Sequence, residues 1–123
     1  MEFSYRGIHH VQLAGPPGCE EQARAFYSVV LGMKEIPKPE ELRKRGGVWF
    51  ECPGFQVHIG IQEDFVPAAK AHPAFQVQGL EALKERLALH GCSIREDAPI
   101  GTLYRLHTDD PFGNRLEFME ERL

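Results

Sequence analysis

The chain has 123 residues, of which 42% are hydrophobic and 26% charged, with a formal net charge of −4. That length suits one domain with a modest core, and the composition is that of a soluble globular protein. The acidic balance gives no electrostatic reason to expect nucleic acid, and no apolar run approaches the ~20 residues a bilayer span requires.

The N-terminus, Met1-Glu2-Phe3-Ser4-Tyr5-Arg6, lacks the charged-then-apolar layout of a secretory signal. Cys19, Cys52 and Cys92 are odd in number and show no CxxC spacing. Both features predict a cytoplasmic protein with reduced thiols.

A first strand is expected over Gly7 to Ala14, with Val11 and Leu13 on one face and His10, Gln12 and Ala14 on the other. Gly15-Pro16-Pro17-Gly18 stops it. A helix follows from about Glu20 to Leu31, in which Ala23, Phe26, Tyr27 and Val30 form the stripe of a helix lying on a sheet. Glu20 and Glu21 complement the dipole at its start, and Gly32 supplies the left-handed stop.

Met33 to Ile36 reads as a short strand and Pro37 to Gly47 as a charged loop, whose basic run Arg43-Lys44-Arg45 is most simply solvated, although a loop beside a cavity could act as a lid. Val48 to Cys52 is the third strand and Phe55 to Ile61 the fourth, separated by a Pro53-Gly54 turn. In the fourth, Phe55, Val57, Ile59 and Ile61 share the core face while Gln56, His58 and Gly60 share the other. Trp49 and Phe50 fall on opposite faces of the third strand.

The second half repeats this order. His72 to Val77 reads as a strand, Leu80 to His90 as a helix stopped by Gly91, and Cys92 to Arg95 and Thr102 to Thr108 as further strands. Asp110-Pro111-Phe112-Gly113-Asn114 is a turn leading into a last strand, Arg115 to Met119. There Leu116 and Phe118 take one face, and Arg115, Glu117 and Met119 the other. The expected class is therefore α+β: two βαβββ modules, over about residues 5–65 and 70–121, curling a mixed sheet around a cavity.

The repeat carries chemistry. His10 and His72 stand 62 positions apart, and His58 and Glu117 stand 59 apart. All four side chains lie opposite the large apolar ones. His10, His72 and Glu117 would form a 2-His-1-carboxylate set for a first-row divalent metal, with His58 as a fourth ligand. The ion would act as a Lewis acid, and Glu117, if displaced, as a general base.

His9 is expected on the helix-packed side with a structural role, His90 at a helix end, and His107 on the same side as Arg105 and Asp109 at the cavity edge. Arg105 and Arg115 are candidates for gripping an anionic group of a substrate. Gln12, Gln56 and Gln76 would suit a different reading, a binding protein that sequesters a small molecule without chemistry.

Three segments carry a family resemblance: Ile8-His9-His10-Val11-Gln12-Leu13, Ala25-Phe26-Tyr27 with Leu31-Gly32-Met33, and Asp110 to Phe118 with its Asp-Pro-x-Gly-Asn-x-x-Glu pattern. They resemble the glyoxalase/bleomycin-resistance/dioxygenase superfamily, also called vicinal oxygen chelate, across nearly the whole chain. The resemblance implies paired βαβββ modules whose first and last strands supply metal ligands, at His10, His58, His72 and Glu117.

It also implies a zinc, nickel, iron, manganese or cobalt ion, a small oxygenated substrate, and lyase, isomerase or dioxygenase chemistry. Metal-free drug-binding proteins belong to the same superfamily, so the fold alone does not select between enzyme and binder. His58 departs from glyoxalase I enzymes, which commonly carry glutamate at that place. Members with one module pair are often homodimers, and in some of them the metal site joins modules from two subunits.

Overall fold

A computed structural model describes residues 1–123. Its strands are β1 (His10–Gly15), β2 (Lys34–Ile36), β3 (Val48–Cys52), β4 (Phe55–Ile61), β5 (Ala74–Gln76), β6 (Arg95–Ile100), β7 (Leu103–Asp109) and β8 (Arg115–Glu121). They form two open four-stranded sheets, ordered β1-β4-β3-β2 and β5-β8-β7-β6. In each, the first strand of the module runs parallel to the last and the other pairs are antiparallel. The architecture is the α+β module pair that the alternation patterns imply.

The first helix, α1, starts as an α-helical turn at Glu20–Ala23 and widens into a π-helix over Arg24–Val30, where a regular α-helix was expected. The Leu31 amide bonds the Phe26 carbonyl at 2.9 Å, five residues back. The wider turn buries the adjacent pair Phe26 and Tyr27 together, in edge-to-face contact at 5.0 Å between centroids. The second helix, α2, is Leu80–Leu89, and Gly91 at φ 73 ends it as expected.

The charged stretch expected as an open loop contains a 3-10 helix, Glu40–Arg45. Its exit is pinned, because the Gly47 amide donates to Glu20 Oε2 at 2.9 Å. Gly47 has φ 89, and a Cβ there would meet the Ile59 carbonyl oxygen at 2.3 Å, so only glycine passes that point.

Three strands begin two or three residues later than the sequence reading. The first strand begins at His10 and not Gly7, which leaves His9 exposed beside His10 and not packed under the helix. His72 and Pro73 precede β5, since proline has no N–H for the ladder; the Pro73 carbonyl instead accepts from the Glu117 amide at 3.0 Å. The sixth strand is Arg95–Ile100 and not Cys92 to Arg95. It is exposed along its whole length, contains Pro99 and pairs only with β7, so its edge position leaves no hydrophobic alternation to read.

One core of 16 buried residues serves both modules. It combines Phe26, Tyr27, Val30, Phe50, Val57 and Ile59 from the first with Phe75, Leu80, Leu87, Leu106, Leu116 and Phe118 from the second. Phe55 stacks on Phe75 at 5.5 Å across the junction. The apolar sheet faces are spent on this core, which leaves the opposite faces for polar side chains.

A buried polar knot ties the modules together. Asp110 Oδ1 accepts the amides of Phe112 at 2.9 Å and Asn114 at 2.8 Å. Its Oδ2 accepts the Tyr27 hydroxyl at 2.6 Å and Asn114 Nδ2 at 2.8 Å, and Asn114 Nδ2 also donates to the Ala14 carbonyl at 2.7 Å. Burial, the Asp110 charge and this bond all push the Tyr27 phenol well above its ordinary value. Asp110→Ala strands several buried donors and is expected to cost about 3 kcal/mol. Urea denaturation would register it as a lower midpoint at unchanged slope; an unaltered midpoint would show the knot to be dispensable.

Candidate metal centre

The hairpin register places the second-half site. Asp109 pairs with Arg115 across the turn, so His107 falls directly opposite Glu117, and on the other side Ala74 of β5 pairs with Glu117. His72, two residues before Ala74, reaches over the same point. Its Nε2 lies 2.9 Å from Glu117 Oε1, and His107 Nε2 lies 3.5 Å from the same oxygen. One ligand-capable atom from each of these three residues lies within 4.8 Å of the others. His107 and Glu117 are buried and His72 is half-buried.

The surroundings orient these donors. His72 Nδ1 is 2.8 Å from the Lys70 carbonyl, which can only accept, so that nitrogen carries the proton. Asp97 Oδ2 sits 2.7 Å from His107 Nδ1. Arg105 Nη1 donates to Glu117 Oε2 at 3.2 Å, and Arg115 Nη2 approaches His107 Nε2 at 3.2 Å.

Burial pushes Glu117 up, but the bonds from His72 and Arg105 and the nearby His107 and Arg105 charges outweigh it, and the carboxyl lies below its ordinary value. His107 is lowered, chiefly by burial; the Arg115 and His72 charges act the same way, against the opposing pull of Glu117 and Asp97. The residues present suit a divalent ion, since two imidazole nitrogens and a carboxylate oxygen converge and outer groups fix the rings.

The two predicted first-half ligands sit elsewhere. His10 stacks on His58 at 4.1 Å between centroids, and Trp49 stacks on the other face of His58 at 3.8 Å. Gln56 Oε1 lies 2.8 Å from His58 Nε2, and His9 Nδ1 lies 2.9 Å from His10 Nδ1. Of the four expected ligands, the structure brings His72 and Glu117 together and holds His10 and His58 together in this separate ring stack. His107, assigned no ligand role from sequence, joins the cluster. The turn already contained the signal: a hairpin closed by Asp110 to Asn114 sets residue 107 against residue 117.

An open cleft of about 500 Å³ lies beside the cluster, lined by Gln12 of β1, Phe65 and Val66 of the connecting segment, and His72, Asn114 and Arg115. Arg115 Nε is buried without a partner. The three thiols are all raised, chiefly by burial, so none is an activated nucleophile.

Burial and then the neighbouring His10, His9 and Lys38 lower His58 to about 4 from 6.5. The unfolded chain therefore takes up this proton first. The stability held above the ordinary value is lost as pH falls from there to the folded value, and the effect is complete below it. In metal-free protein, urea denaturation across that window should show a shallower loss for His58→Gln than for the parent. Equal slopes would mean that His58 is not held neutral by its burial.

The profile described as Glyoxalase/Bleomycin resistance protein/Dioxygenase superfamily matches residues 7–118. A crystal structure assigned to the glyoxalase family, from Bacillus anthracis, is 50% identical, with 99% of this chain and 100% of that one covered and a TM-score of 0.95. A fosfomycin resistance protein from Listeria monocytogenes, solved with Mn(II) and a dihydroxypropylphosphonic acid, is 17% identical over 98% of this chain and 95% of that one, with a TM-score of 0.79. An antibiotic binding protein from a Streptomyces species is 13% identical over 98% and 100%, with a TM-score of 0.78. The last two likenesses show a shared fold alone. Among curated proteins, none matches the chain.

Proposed function

The chain belongs to the glyoxalase/bleomycin resistance protein/dioxygenase superfamily, and from that premise we propose that it is a divalent-metal-dependent enzyme acting on a small oxygenated molecule. The observation that carries this reading is the pair His72 and Glu117. His72 Nδ1 faces a carbonyl and so donates to it, while its Nε2 faces a carboxylate oxygen 2.9 Å away. At that separation the nitrogen and the oxygen share either a proton or a metal ion. When bound, the ion supplies Lewis-acid polarisation of a substrate oxygen.

The chain's own groups divide the remaining work. Gln12, Phe65 and Val66 offer a mixed polar and apolar wall for the substrate body, and Arg115, which also lines the cleft, would grip an anionic substituent. Glu117, if displaced from the ion, would be the general base toward a C–H beside a carbonyl. Its lowered pKa makes it a weak base while Arg105 is attached, so Arg105 must release it before proton transfer.

The same observations delimit the roles of His10 and His58. They join this ion only if a second copy of the chain brings its first-half face to the cluster. The exposed side chains of Phe3, Tyr5 and Ile8 next to β1 support a homodimer. Metal analysis of purified protein is the direct test. About one equivalent is expected in the parent, and His72→Ala and Glu117→Ala should each lower affinity by about 100-fold or more. A parent protein with no affinity for zinc, manganese, nickel, cobalt or iron would sink the proposal.

A second reading, metal-free sequestration of a small molecule, is favoured by one feature. Glu117 is already bonded by both His72 and Arg105, so the carboxylate is satisfied without an ion. Under that reading, alanine at His72 or Glu117 leaves ligand affinity nearly unchanged.

A further inference from the structure

A second cleft, of about 280 Å³, opens on the first sheet and is lined by Lys38, Arg45, Gln12, Trp49 and Gly60. Two cations therefore share a small space with an indole ring and a carboxamide. Neither cation forms an ion pair with a carboxylate. Glu20 is near enough to favour the charged form of Lys38, but its Oε2 accepts the Gly47 amide at 2.9 Å. Glu40 and Glu41 open the intervening 3-10 helix and do not line the cleft.

The turn between the two cations is fixed by its own bonds. The Leu42 amide donates to the Pro39 carbonyl at 2.9 Å, and the Gly46 amide to the Arg43 carbonyl at 3.2 Å. Lys38 donates one proton to the Gly46 carbonyl, which leaves two for a ligand. Within the basic run, Arg43 Nε turns back to the Lys38 carbonyl at 3.3 Å, and Lys44 does not reach the cleft. Arg45 alone of the three lines it. Burial, and then the Arg45 charge, lower Lys38 against the pull of Glu20, as expected for like charges held close without a counter-ion. Gly60 completes the floor, because a side chain there would collide with the Gln12 carboxamide that lies over it.

We propose that Lys38 and Arg45 form a binding subsite for a phosphate group, with Gln12 as a neutral third donor and Trp49 as one wall. A phosphate monoester carries a charge of about −1.5 to −2 at neutral pH, which matches two uncompensated cations; a carboxylate would leave one of them unmatched. Gln12 also lines the larger cleft beside His72, so the body of a phosphate-bearing molecule has room to extend toward that cleft. None of these residues belongs to the His72, His107 and Glu117 cluster, and the subsite stands whether or not an ion binds there.

The test uses the full chain after chelator treatment, with inorganic phosphate, glycerol 3-phosphate and acetate titrated at one low ionic strength. Trp49 is the only tryptophan of the chain, so its emission reports on the cleft, and calorimetry gives the affinity independently. Saturable binding of one phosphate per chain is expected, weakened about tenfold or more in Arg45→Gln and in Lys38→Gln. Lys44→Gln removes the same charge from the neighbouring residue and should stay within about twofold of the parent. Acetate should bind about tenfold more weakly than phosphate, or worse. Tighter binding of glycerol 3-phosphate than of inorganic phosphate would identify an organic phosphate as the ligand, and the reverse order would identify the free ion.

Thermal melting monitors the fold of each variant. Arg45 is exposed, so its glutamine variant keeps the test valid should Lys38→Gln fail to fold. Equal weakening by Arg45→Gln and Lys44→Gln would reduce the effect to diffuse surface charge and overturn the subsite. So would a parent chain that shows no saturation with phosphate in the millimolar range. Acetate bound as tightly as phosphate would overturn the assignment to a phosphate group.

Discussion

The Asp110 carboxylate is the constraint on which the rest of the structure depends. It is 4% exposed, yet four hydrogen bonds converge on it from the β7–β8 turn and from α1. A charge removed from water to this extent is tolerable only when such bonds replace hydration. Because those bonds shape the turn, they also set its length, and turn length sets which residues face each other across the hairpin. His107 meets Glu117 for that reason, and the same knot holds Asn114 against β1 at the edge of the cleft.

Duplication of a βαβββ unit produces two faces with the same geometry and different uses. On the first, three aromatic rings stack in sequence, and burial there favours the neutral imidazole of His58. On the second, an acid replaces the central histidine and a histidine replaces the tryptophan. The stacked row becomes a cluster of donors without any change of backbone. The shared core makes this divergence possible, since packing is confined to the opposite sheet faces and the helices.

Charge around the cluster is finely divided. Glu117 lies between His72, His107 and Arg105, while Asp97 and Arg115 flank His107. The bonds from His72 and Arg105 hold the carboxylate ionised, which prepares it as a ligand and weakens it as a base. Ligation and proton abstraction by Glu117 therefore pull in opposite directions, and Arg105 is the group whose movement would shift the balance between them.

Period-two alternation in β4 and β8, the stripe along α1 and the glycine stops were local signals, so the module order, the core faces and the polar side chains opposite them were legible in the sequence. The family pattern around Asp110 to Glu117 was legible in the same way. Edge strand β6, the late start of β1 and the π-helical part of α1 were not, because burial and pairing with distant residues decide them. Local sequence chose which side chains leave the core; only tertiary structure decided which of those meet. Strand pairing and turn length brought His72, His107 and Glu117 to one point, and a separate sheet carried His10 and His58 into a ring stack.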